Sequence, residues 1–170
     1  MTQASRRVKW CLRKAEKESE EGTKHRGLVK KEIDLDEAKK HIIKAEHNLS
    51  AIDYFSLGEF SDWSMSAGFY CIYHCFLAII EKFGYESRNQ ECTIALVKFL
   101  KEQGKIEFDN KFIEALESYD EKERHESNVI EKRENYTYGT TISVDNKEEI
   151  KNSIKLCKEC LDLTKRIIFS

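Results

Sequence analysis

Residues 63–83 read WSMSAGFYCIYHCFLAIIEKF, and the fold turns on how this stretch is read. At helical periodicity Trp63, Ala67, Tyr70, His74 and Leu77 share one face, while Met65, Phe69, Ile72, Phe76, Ile79 and Phe83 cover the others. A helix that is apolar nearly all round is stable in water only when several of its sides are covered. In a chain of 170 residues this predicts a helix at the centre of a bundle that also shares one face with a second subunit. The apolar run from Ala67 to Ile80 is interrupted by His74 and short for a bilayer, so it is read as buried in protein rather than in a membrane.

Working outward, Ser61 is predicted to cap this helix and Gly84 to stop it. On its N-terminal side, Asp34 and Glu37 have capping-box spacing, and Leu35, Ala38, Ile42, Ala45, Leu49 and Ile52 recur at steps of three and four until Gly58. On its C-terminal side, Ser87 and Gln90 repeat that spacing before a shorter helix carrying Ile94, Ala95, Val97, Phe99 and Leu100, which ends near Gly104. A fourth helix is predicted from near Phe108, with Phe112, Ala115, Leu116 and Tyr119 inward. It turns polar from Asp120 to Glu126 and regains Val129 and Ile130 before Arg133. Tyr136 to Val144 reads as a loop or brief extended segment. Asp145 and Glu148 then start a last helix with Ile150, Ile154, Cys157, Leu161, Thr164 and Ile168 in register.

Composition agrees with this pattern. There is no proline and only seven glycines, with 35% charged and 40% hydrophobic residues, which disfavours all-β and glycine-loop nucleotide-binding folds. The expected class is all-α: an antiparallel four- to five-helix bundle over residues 31–170, preceded by a basic N-terminal helical extension over 1–30. That extension places Val8, Cys11, Leu12 and Ala15 on one thin apolar side. Residues 1–31 hold ten lysines and arginines against four glutamates, leaving 19 basic and 27 acidic residues for the rest. A basic arm of this kind either contacts phosphates or lies solvated against the acidic body. The net charge of −2 excludes global basicity as a sign of nucleic-acid or membrane binding. No secretory pattern opens the chain, so a cytoplasmic protein with free thiols at its six cysteines is expected, with no membrane partner.

Two segments resemble the prokaryotic HEPN-domain family, whose members are small helical bundles, often dimeric. The run from Trp63 to Cys75, with Phe69, Tyr70, Tyr73 and His74, is similar to the family's aromatic segment. Arg133 and Glu134, followed by Tyr138 and Gly139, are similar to its Arg-Glu, then Asp-Tyr-Gly segment. The resemblance covers roughly residues 30–170. It implies either a metal-independent ribonuclease, often a toxin paired with a small nucleotidyltransferase, or a nucleotide-binding or assembly module. The family's ribonuclease motif is an arginine and a histidine four to six residues apart, and this chain departs from it. After Arg133 and four further residues stands Tyr138, and no histidine follows His125. The family's aspartate is Thr137 here, and Asn89 with Gln90 stand where a histidine often precedes the third helix.

Cleavage of RNA by its 2′-hydroxyl requires a proton acceptor and a group that stabilises phosphate charge. Arginine suits the second role through its fork of donors. Tyrosine suits the first badly, since its ordinary pKa is about 10 against about 6.5 for histidine. The candidate catalytic residues are Arg133 and Tyr138, and the candidate nucleotide- or RNA-binding residues are Arg133, Tyr136 and Tyr138, a cationic and aromatic corner able to hold a phosphate and stack a base. Packing around a helix end accounts for the same three residues. His74 is expected to be a hydrogen-bonded core histidine, and His125 lies eight residues from Arg133 on a different helical face. Cys157 and Cys160, with Cys71, His74 and Cys75, have spacings a zinc ion tolerates, but they fall on or beside apolar stripes and are read as packing, as are Cys11 and Cys92. No metal and no cofactor are called for, and there is no P-loop, dinucleotide fingerprint or hydrolytic triad.

The leading expectation is a HEPN-like nucleotide- or RNA-binding component, catalytically inactive or weak, homodimeric, and one half of a toxin–antitoxin-type pair with a small nucleotidyltransferase. Two alternatives stand beside it: a metal-independent endoribonuclease toxin with an altered Arg-x4-Tyr site, and a structural protein-interaction module.

Overall fold

The structure, a computed structural model, describes residues 1–117, 139–140, 142–144 and 147–170. In chain order these residues form α1 (Gln3–Glu20), β1 (Leu28–Lys30), α2 (Leu35–Leu57), α3 (Asp62–Lys82), β2 (Tyr85–Ser87), α4 (Gln90–Glu102), α5 (Asn110–Leu116) and α6 (Lys147–Phe169). The fold is all-α, with one small two-stranded sheet among the described residues.

Helix α3 is the axis. Fourteen of its 21 residues are buried, and it packs against α2, α4, α5, α6 and β2. Phe69, Ile72, Phe76, Ile79 and Ile80 are almost wholly enclosed, and each such side chain contributes about 1.5–3 kcal/mol by burial. Phe76 meets Phe108 edge-on with ring centroids 5.3 Å apart, which ties the entry to α5 onto α3. By length and composition α3 is apolar enough to cross a membrane, yet 67% of its most apolar window is buried inside the protein. The expected central helix is therefore present. Trp63 and Tyr70 remain exposed along its one open row.

Small residues let α3 and α6 approach closely. A Cβ added at Gly68 would lie 2.5 Å from Ser153 Oγ, and the Cys157 thiol donates to the Gly68 carbonyl at 3.4 Å. Cys71, Cys75, Cys157 and Cys160 are all free and buried along this seam. Their placement accords with the packing reading of those cysteines.

Local signals set most helix boundaries, with instructive exceptions. Asp34 caps α2 by accepting the Glu37 N–H at 2.8 Å, and Gly84, at φ +76°, ends the α3 turn. Ser61 precedes α3 but makes no capping bond; its Oγ accepts the Val144 N–H at 2.9 Å and so anchors the segment leading to α6. The cap of α4 is Asn89, accepting the Cys92 N–H at 3.0 Å, because Ser87 is drawn into β2. Polar residues 120–126, the return of Val129 and Ile130, and Asp145 lie outside the described residues.

The expected junction between the N-terminal extension and the bundle, at residues 30 and 31, falls at the end of a strand, Leu28–Lys30. β1 pairs antiparallel with β2 in the register Leu28↔Ser87, Val29↔Glu86 and Lys30↔Tyr85. Lys31 Nζ sits 2.6 Å from Glu81 Oε2, joining this sheet to the end of α3. Helix α1 lies against α4 and β1 through Ala4, Val8, Cys11 and Ala15, as the solvated-helix alternative anticipates. The expectation of free thiols fails at this contact. Cys11 and Cys92 form a disulfide, with Cα atoms 5.9 Å apart, because the docking of α1 brings together two cysteines separated by 81 positions.

Candidate functional site

Arg133, Tyr136, Tyr138 and His125 lie in the segment 118–138, outside the described residues. What the structure assembles is a basic strip between α1 and the start of α4. Its α1 half follows from helical spacing: Arg7, Trp10 and Lys14 stand at steps of three and four and so share one surface row. The Arg7 guanidinium lies 4.4 Å from the Trp10 ring centroid and Lys14 Nζ lies 6.0 Å from it. These cations rest on an indole that is 47% exposed.

Two adjoining clefts run along this surface. One, of about 590 Å³, is lined by Arg6, Arg7, Trp10, Lys98 and Glu117 among others. The second, of about 950 Å³, is lined by Lys14, Lys24, His25, Arg26, Arg88 and Asn89 among others. Gln90, the first residue of α4, borders both. Seven cationic side chains face four carboxylates along the pair of clefts. Three of those carboxylates are neutralised within the strip, Glu91 by Arg7, Glu18 by Lys14 and Glu117 by Lys98. Arg6, Lys24 and Arg26 make no ion pair among the described residues, so their charge is available to an incoming anion.

Two carboxylates at this surface, Glu18 and Glu86, are held ionised by their hydrogen-bond donors. A hydrogen bond from Lys14 and another from the Arg26 N–H keep Glu18 below the usual carboxylate range, and a hydrogen bond from His25 does the same for Glu86. His25 is committed on both nitrogens, with Nε2 2.9 Å from Glu86 Oε1 and Nδ1 accepting the Gly27 N–H at 3.5 Å. It therefore has no free lone pair for proton abstraction. The other described imidazole pair lies apart, between α2 and α3. His41 Nδ1 and His74 Nδ1 are 2.9 Å apart, and burial, followed by the influence of His41, pushes His74 down to about 4. His74 is thus the hydrogen-bonded histidine expected from the sequence. The strip can bind a polyanion and stack a base on Trp10, while its described residues offer no unengaged acid–base pair.

Sequence reasoning did not single out Trp10, Arg88 or Lys98. The Arg7-x2-Trp10-x3-Lys14 spacing was the available signal, but the half contributed by α4 comes from some eighty residues away and becomes adjacent only in the fold. Asn89 and Gln90, noted as replacing a family histidine, serve here as the cap of α4 and as the shared wall of the two clefts.

No curated protein and no solved structure matches the chain. The HEPN domain model matches residues 38–167, from the first turn of α2 to the last turn of α6, so that α1 and β1 lie outside it. With the matched span covering well over half of its length, the chain belongs to the HEPN-domain family.

Proposed function

We propose that this protein is a nucleotide- or RNA-binding member of its family that binds without efficient cleavage. Its contact surface is the α1–α4 strip, and Arg133, Tyr136 and Tyr138 are kept as candidate contacts from the sequence alone. The observation carrying this reading is the exposed Trp10 ring flanked by Arg7 and Lys14 within a surface that also holds Arg6, Lys24 and Arg26. Cations track a phosphate backbone while an aromatic face stacks a base, and neither contact demands a particular sequence. The non-catalytic part of the reading rests on Tyr138 at the position where the family's ribonucleases carry histidine. A homodimer and a small nucleotidyltransferase partner belong to the same proposal, and light scattering of the purified protein reads out the first of them.

The test is fluorescence anisotropy with a labelled mixed-sequence single-stranded RNA in EDTA, with the RNA checked afterwards on a denaturing gel. Trp10→Ala is expected to weaken binding by about 1–3 kcal/mol. The same affinity for wild type, Trp10→Ala and Arg6→Ala would remove the strip as the contact surface. The second reading is an endoribonuclease in which Arg133 and Tyr138 form an altered site. RNA degraded by wild type and left intact by Arg133→Ala would establish that reading over the first.

A further inference from the structure

Half of the strip rides on a helix with little to hold it. Helix α1 supplies Arg6, Arg7, Trp10 and Lys14, and it lies outside the matched domain. Its buried face is Ala4, Val8, Cys11 and Ala15, so two of the four buried side chains are single methyl groups. The polar ties from α1 to α4 are exposed ones: Arg7 to Glu91, and Thr2 Oγ1 to Glu102 Oε2 at 2.6 Å. Pairs of that kind contribute little in water. At the middle of this thin face sits a covalent bond, Cys11 to Cys92, reaching the first turn of α4.

We propose that Cys11–Cys92 is a reversible thiol–disulfide site, and that its redox state decides whether α1 is held on α4 to complete the basic strip. The effect on RNA rests on the binding reading above; the latch itself does not. The other four cysteines contact one another in the α3–α6 seam, so Cys11 and Cys92 have only each other as partners. The co-reactant is a dithiol. One of its thiolates attacks the Cys11 sulfur, forming a mixed disulfide and breaking the Cys11–Cys92 bond. The electron pair of that bond leaves on Cys92, whose place in the first turn of α4 favours negative charge. The second thiol of the reductant then displaces Cys11. The reductant loses two electrons and two protons to become a cyclic disulfide, and the protein gains two thiols. Both sulfurs are fully buried, so exchange waits on local opening of α1, an N-terminal element with a small apolar contact.

The experiment uses the full-length protein, purified without reductant and then treated with dithiothreitol, with Cys11→Ser as a permanently open form. Alkylation in denaturant followed by intact mass counts the thiols, trypsin reports on α1 through its lysines and arginines, and anisotropy with single-stranded RNA reports on the strip. The expected result is four alkylated thiols before reduction and six after. Cleavage within α1 is expected to rise about tenfold on reduction while α2 to α4 stay protected. RNA affinity is expected to fall about fivefold or more and to return on reoxidation. Six thiols in the untreated protein, or an α1 equally protected before and after reduction, would overturn the latch. An α1 released by reduction with RNA affinity unchanged would uphold the latch and remove the strip as the RNA surface.

Discussion

Among the described residues, His41 and His74 are the imidazoles whose titration burial shifts. Their Nδ1 atoms share one hydrogen bond at 2.9 Å, which two protonated rings could not make. Burial lowers both, His74 to about 4. In the unfolded chain each returns to about 6.5. Between those values the unfolded state binds more protons than the folded one, so stability is full above about pH 6.5 and is lost as pH falls towards about 4. Because both rings are only partly buried, the loss attributable to His74 is put at about 1–2 kcal/mol rather than the full shift. Glu18 and Glu86, held low by their partners, add the same sign only below the ordinary carboxylate range, while Glu81, raised chiefly by burial, adds the opposite sign just above it. Urea unfolding at a series of pH values is expected to show this slope in wild type and a flatter one in His74→Gln. An unchanged slope in the variant would assign the titration elsewhere.

Elements meet in this fold where small residues permit it, and two glycines show that the same substitution has unequal consequences. At Gly27 an added Cβ would lie 2.4 Å from the Cys11 carbonyl oxygen and 3.1 Å from the Ala15 nitrogen, both backbone atoms of α1. Relief requires the helix itself to move. At Gly68 the nearest obstacle is the Ser153 hydroxyl at 2.5 Å, which can rotate away. Gly27→Ala is therefore expected to cost about 1–3 kcal/mol and to raise amide exchange throughout α1, while Gly68→Ala costs less, as denaturant midpoints and hydrogen exchange would register. Capping teaches a related lesson. Asp34 was legible as a cap because nothing competes for it, whereas Ser61 is claimed by Val144 and Ser87 by β2, with Asn89 taking over at α4. Such competition comes from residues far along the chain, so a local reading does not register it.

At the scale of the whole molecule, a net charge of −2 conceals a basic strip whose field comes from Arg6, Lys24 and Arg26 beyond the internally paired groups. If three such cations meet phosphates of a single strand, raising salt from about 50 to about 200 mM is expected to weaken RNA binding about 20-fold. Anisotropy across that range checks it, and a flat response would leave no role for the strip. What the amino-acid order determined by itself is the set of amphipathic segments and the all-round apolar α3. Those depend on periodicities of three and four residues, and burial follows them directly in Ile42, Phe76, Leu161 and Ile168. Tertiary structure alone decided the three-residue strand pairing of Leu28–Lys30 with Tyr85–Ser87, the union of Cys11 with Cys92, and the joining of Trp10 to Gln90 and Lys98 along one surface. Each of these contacts joins residues more than fifty positions apart, and it is the way the helices pack around α3, with no spacing rule in the chain, that brings them within reach.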